Sequence, residues 1–153
     1  MTEKETQTDK ELLLKDLSAR LPYGVLGQCE IDASYDTEFE TIPQTHKFKA
    51  VAYGFNEDSL FVCPMIENQD ELEIANEEIV DGVYILNFKP YLFPISSMTD
   101  KQKDEYQYIT ERWMNDPAYS ISDSTDWLNK NHFDYSGLIE KGLAINSIGL
   151  NIY

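Results

Sequence analysis

A chain of 153 residues with 28 acidic and 12 basic side chains carries a formal net charge of −16. Its length fits one domain able to bury roughly 70% of its unfolded surface, and an aromatic content of 12% argues against a disordered polyelectrolyte. The few Lys and Arg residues are spread along the chain without a patch, which argues against direct nucleic-acid binding.

Met1–Thr8 offers little to bury and is expected to be a flexible end, leaving residues 9–153 as a single domain. Thr8-Asp9-Lys10-Glu11 has the form of a capping box. It predicts an amphipathic helix with Leu13, Leu14, Leu17 and Leu21 on one stripe and Lys10, Lys15 and Asp16 towards water. Pro22 ends that helix. From Val25 to Lys89 the pattern has period two, predicting strands over Val25–Ile31, Tyr35–Ile42, Lys47–Phe55, Ser59–Met65 and Gly82–Lys89, with a weaker one near Leu72–Ala75. In the second, Asp36, Glu38 and Glu40 share one face and Tyr35, Thr37, Phe39 and Thr41 the other. Asn56-Glu57-Asp58 reads as a hairpin loop.

Beyond Pro90 the pattern turns helical. Thr99-Asp100-Lys101-Gln102 forms a second capping box, opening a helix with Tyr106, Ile109 and Trp113 on its buried stripe. Short helices are predicted over Asp126–Asn131 and Ser136–Lys141, the latter capped by Ser136 and closed by Gly142. The apolar tail Leu143–Tyr153 adds a strand or lies across the core. The fold class is therefore α+β: an N-terminal helix, a small antiparallel sheet or half-open barrel of five to six strands, and a C-terminal helical cap.

The negative charge is regional. Between Glu30 and Asp81 stand fourteen carboxylates against two lysines, Lys47 and Lys49. A folded surface built from Asp32, Asp36, Glu38, Glu40, Glu57, Asp58, Glu67, Asp70, Glu71, Glu73, Glu77 and Glu78 would repel anions and select a basic partner. Mimicry of duplex DNA needs more: one strand row spaces carboxylates ~6.7 Å apart against a duplex charge every ~1.7 Å, so several rows must lie side by side. A second candidate contact is the aromatic group Tyr91, Phe93, Trp127, His132, Phe133 and Tyr135, which offers large rigid area for a partner or packs the helices onto the sheet.

Motifs for chemistry are missing. Cys29, Cys63, His46 and His132 lack metal-ligand spacing, so no metal or other cofactor is expected. No G-x-S-x-G or glycine-rich phosphate loop occurs, and carboxylate pairs for a hydrolase are not identifiable by spacing. The two cysteines read as buried free thiols in a reducing cytosol. The N-terminus has no secretory h-region and no run approaches ~18 apolar residues, which predicts a cytoplasmic protein without a membrane span.

Three segments carry a resemblance: Leu17-Ser18-Ala19-Arg20-Leu21-Pro22-Tyr23-Gly24-Val25, Lys89 to Thr99 (KPYLFPISSMT) and His132 to Ala144 (HFDYSGLIEKGLA). Together they resemble a family of short proteins encoded by phages and prophages of Bacteroides-type bacteria. The resemblance implies a setting in a bacterial host cytosol and no catalytic residue. The reading is then a non-catalytic phage or prophage accessory protein that binds a basic surface of a host or phage protein. A DNA-mimic inhibitor and a carboxylate-based hydrolase are the alternatives.

Overall fold

The computed structural model describes residues 3–32, 35–42, 44–57, 59–115 and 121–153. In chain order it contains α1 (Glu3–Arg20), β1 (Val25–Asp32), β2 (Tyr35–Asp36), β3 (Thr41–Ile42), β4 (Thr45–Asn56), β5 (Ser59–Pro64) and α2 (Gln69–Glu78). There follow β6 (Val83–Tyr84), β7 (Phe88–Pro94), α3 (Asp100–Asn115), α4 (Ile121–Lys130), β8 (Phe133–Asp134) and β9 (Ile145–Asn146). This is the expected α+β order of helix, sheet and helices.

The sheet runs β6-β5-β4-β1-β7-β8, with β9 also paired to β7. It is open, and antiparallel except where β8 and β9 join β7 in parallel. β1 lies at its centre, antiparallel to β4 through Val25↔Ala52 and Glu30↔Lys47 and to β7 through Gln28↔Lys89. β7 then changes partners along its length, pairing in parallel with β9 at Tyr91 and Leu92 and with β8 at Phe93 and Pro94. The strand predicted over Gly82–Lys89 is interrupted by a 3-10 turn at Ile85–Asn87. The hairpin predicted around Asn56 joins β4 to β5, closed by the Asn56↔Ser59 pair.

Period-two alternation gives the sheet one packed face. Val25, Cys29, Ala50, Ala52, Leu60 and Val62 point inwards and meet Leu13 and Leu17 of α1, with Phe88 and Leu92 of β7. Leu13 and Leu17 are fully buried while Leu14 and Leu21 are half-buried, as their shared stripe requires. α1 starts at Glu3, upstream of the expected cap. Thr8 lies inside it, donating its hydroxyl to the Lys4 carbonyl at 2.9 Å. The second capping box forms as read: the Thr99 amide donates to Gln102 Oε1 at 2.9 Å and the Gln102 amide to Thr99 Oγ1 at 3.1 Å. Tyr106 and Ile109 are half-buried on α3; the side chain of Trp113 lies outside the described residues.

Three local readings are corrected. Leu72–Ala75 belongs to a helix, α2, whose Asn68 cap accepts from the Glu71 amide at 3.0 Å. Helical spacing turns Leu72, Ala75 and Ile79 to the protein and frees the carboxylates between them, an arrangement no strand could give. Residues 136–141 form turns instead of a helix, because Asp134 captures three amides, those of Ser136, Leu138 and Ile139, on its carboxylate. The segment 35–42 is a short hairpin of β2 and β3 outside the main sheet.

Candidate functional site

The acidic side chains gather at one end of the sheet. On α2, Asp70, Glu71, Glu73, Glu77 and Glu78 are all exposed, and Glu67 is exposed just before it. Glu30 and Asp32 are exposed at the end of β1, with Glu38 and Glu40 in the hairpin that follows. The two groups meet because α2 starts beside the same strand ends: Ile31, His46, Lys47 and Phe48 of the sheet line a small cleft with Ile66, Glu71 and Ile74. Among the described residues, no lysine or arginine forms an ion pair with any of these carboxylates. Glu57 is separate, at the opposite end of the β4–β5 hairpin, where it shares an open cleft of about 290 Å³ with Gln7, Lys10 and Glu11. Asp58 and the side chain of Asp36 lie outside the described residues.

The expected row of Asp36, Glu38 and Glu40 on one strand is not formed. Between β2 and β3 the chain reverses at Thr37, whose amide donates to the Glu40 carbonyl at 2.8 Å and whose hydroxyl accepts from the Glu40 amide at 3.1 Å. That turn displays Phe39, 93% exposed, with a glutamate on each side. A row of mimicked phosphates is replaced by an aromatic tip flanked by charge.

The aromatic group is brought together, facing inwards on itself. Phe133 is buried and stacks on Trp127 at 5.7 Å, Trp127 meets Tyr106 of α3 at 5.6 Å, and Phe93 lies 6.2 Å from Phe133. Tyr91 is buried, and Tyr153 closes over it, its hydroxyl donating to the Tyr91 carbonyl at 3.0 Å. These rings join α3 and α4 to β7 and β8.

Sequence reading missed a buried ion pair at the heart of that junction. Asp16, expected to face water, is buried together with Arg20. Arg20 Nε donates to Asp16 Oδ2 at 2.7 Å and Nη2 donates to the Phe133 carbonyl at 2.6 Å. Ser136 Oγ donates to Asp16 Oδ1 at 3.0 Å, and the guanidinium lies 5.0 Å from the centre of the Tyr135 ring. The pair therefore ties α1 to β8 and the turn after it. Asp16 and Arg20 stand four apart on α1, a spacing that suits an ion pair. Their neighbours Leu13 and Leu17 share the buried face, and that was the signal available. Beside the pair is a cleft of about 420 Å³ lined by Leu12, Lys15, Asp16, Thr125, Tyr135 and Ser136.

Burial sets the protonation of the interior groups. It raises the Cys29 thiol to about 12, keeping it protonated and unreactive at neutral pH. Cys63, expected to be buried, is exposed on the outer side of β5. Burial, with the Arg20 charge, lowers His132 to about 4, while its ring stacks on Tyr153 at 3.6 Å. An unfolded chain would bind a proton at His132 below about 6.5, whereas the folded one resists until about 4. The contribution of His132 to stability is thus present above pH ~6.5 and lost as pH falls towards 4. Urea melts should show a loss of about 1–2 kcal/mol from this residue between those limits, after allowance for its partial exposure. His132→Asn, which tolerates the positive φ of 63° at this position, should flatten that part of the profile. An unchanged slope would mean that His132 is not held neutral.

No three His, Cys, Asp or Glu side chains come together as metal ligands among the described residues. No described helix is long and apolar enough to cross a membrane. Compared with protein-family models, curated proteins and solved structures, the chain matches none.

Proposed function

We propose that this protein is a non-catalytic accessory protein, of phage or prophage type, that works by docking its acidic end on a basic surface of another protein. The observation that carries the reading is the collection of exposed carboxylates on α2 and on the strand and hairpin ends beside it, none of which forms an ion pair among the described residues. Local stability alone argues against this distribution. Glu77 and Glu78 occupy the last turn of α2, which has no basic residue, and a helix dipole disfavours a carboxylate there by ~0.3–1 kcal/mol.

The three segments that carry the phage-family resemblance lie together, away from the acidic end. Arg20 reaches the Phe133 carbonyl, the Phe93 amide donates to the His132 carbonyl at 2.8 Å, and Phe93 pairs in parallel with Phe133. They build the scaffold, leaving the acidic end as the part that differs in character.

The test is affinity capture from host lysate with the wild type and with a Glu71→Lys/Glu73→Lys/Glu77→Lys variant. Screening confines exposed charges to ~8 Å at physiological ionic strength, so the captured partner should elute by about 0.5 M salt and be lost from the variant. A partner retained equally by both proteins through that salt would remove the acidic end from the interface.

A further inference from the structure

Along β5, β4, β1 and the start of β7, the outer face of the sheet is divided into two kinds of surface. Strand register places Lys49 of β4 and Lys89 of β7 on either side of Gln28, with Lys47 opposite Glu30 in the next row. Lys49 and Lys89 thus have a neutral amide as their direct cross-strand neighbour, and stand two strands apart, ~9.6 Å. In the rows beyond, Leu26 lies opposite Val51 and both are half-exposed. Tyr53, 66% exposed, stacks on Phe61 at 6.2 Å. An apolar strip therefore borders a cationic pair on a chain whose net charge is −16.

The hairpin of β2 and β3 carries the matching pattern. Its Thr37 turn holds Phe39 almost wholly in solvent with Glu38 and Glu40 exposed on each side. An exposed aromatic ring is the kind of group that anchors an interface, because it offers large area for few rotatable bonds. The two flanking carboxylates favour a site with cations beside an apolar patch.

We infer that the partner of the hairpin is a second copy of this chain, which receives Phe39 on the Leu26–Val51–Tyr53 strip and pairs Glu38 and Glu40 with Lys49 and Lys89. This rests on the acidic end being a contact surface and names what its hairpin contacts. The two surfaces are unlike and lie on different parts of the molecule, so the contact is head-to-tail. Each added copy leaves one hairpin and one sheet face free, and assembly proceeds to a ring or an open chain.

Sedimentation velocity of the full chain at about 0.15 M salt, across a loading series, is the experiment, because screening there limits the repulsion between like-charged copies. The weight-average sedimentation coefficient of the wild type should rise with concentration. Phe39→Ala should weaken association by about tenfold or more. Lys49→Glu/Lys89→Glu and Glu38→Lys/Glu40→Lys should each remain monomeric alone, since each presents like charges on both surfaces. Mixed, they should associate again, as the reversed face of one accepts the reversed hairpin of the other. A wild type that stays monomeric throughout, or a mixture that fails to associate, overturns the inference. The α2 variant Glu71→Lys/Glu73→Lys/Glu77→Lys lies outside this contact and should self-associate like the wild type. Loss of heterologous capture in that variant would therefore bear only on the accessory-protein reading, and loss of self-association in the hairpin variants only on this one.

Discussion

Asp16→Ala is expected to cost about 3–5 kcal/mol, because it leaves the Arg20 guanidinium buried without its counter-ion. Arg20 is 1% exposed and donates to both carboxylate oxygens of Asp16, at 2.7 and 3.2 Å. One guanidinium nitrogen, Nη1, already lacks a hydrogen-bond partner among the described residues, so the site has little capacity to absorb a second loss. Against a total of ~5–15 kcal/mol for an ordinary domain, the variant should melt on the order of 10 °C lower. The double replacement Asp16→Leu/Arg20→Met removes both charges and keeps apolar volume. It should recover most of the deficit, as buried pairs replaced together commonly do. Urea melts of the two single variants and the double give the coupling. A loss below about 1 kcal/mol for Asp16→Ala would mean that the pair is effectively solvent-exposed.

Gly27→Ala is expected to destabilise by about 3 kcal/mol, through contact with a ring that cannot retreat. A Cβ at Gly27 would lie 2.2 Å from Phe88 Cζ, with two more ring atoms within 2.7 Å. Phe88 is fully buried on β7, and β1 is held between β4 and β7 on both sides. Relief would require moving a core aromatic or parting the central strands. The absence of a side chain at residue 27 is thus what lets Phe88 fill the core above β1. Gly54→Ala is the control: its added carbon would meet Phe61 Cδ2 at 3.7 Å, an ordinary contact, so its effect should stay within about 0.5 kcal/mol. Equal melts for the two variants would show that Phe88 does not occupy the place above Gly27.

The candidate surface illustrates how far a sequence pattern can be followed. The carboxylates of Glu67 to Glu78 are exposed as read, yet the element that carries them was misread. Glu-Leu-Glu alternates like a strand, but Asn68 offers a cap, and Leu72, Ala75 and Ile79 recur at helical spacing. That helix was legible. The hairpin at 37–40 was harder to see, since its alternation of apolar and acidic residues is compatible with a strand. Only the Thr37 side chain, competing for the backbone amides, turns it into a tip. Lys89 was invisible as a companion of Lys49, because register across β1 decides it.

By itself the sequence determined the order of helix, sheet and helical cap, the Thr99–Gln102 cap, the β4–β5 hairpin and the crowding of negative charge into the middle of the chain. Each depends on groups within a few residues of one another, where periodicity and capping act. The tertiary structure alone decided that Asp16 is interior, that β7 takes parallel partners, and that Lys49 and Lys89 stand on either side of Gln28. The reason is range: Arg20 meets Phe133 across 113 residues and Ser136 meets Asp16 across 120. A buried charge is tolerated only where distant groups converge to satisfy it.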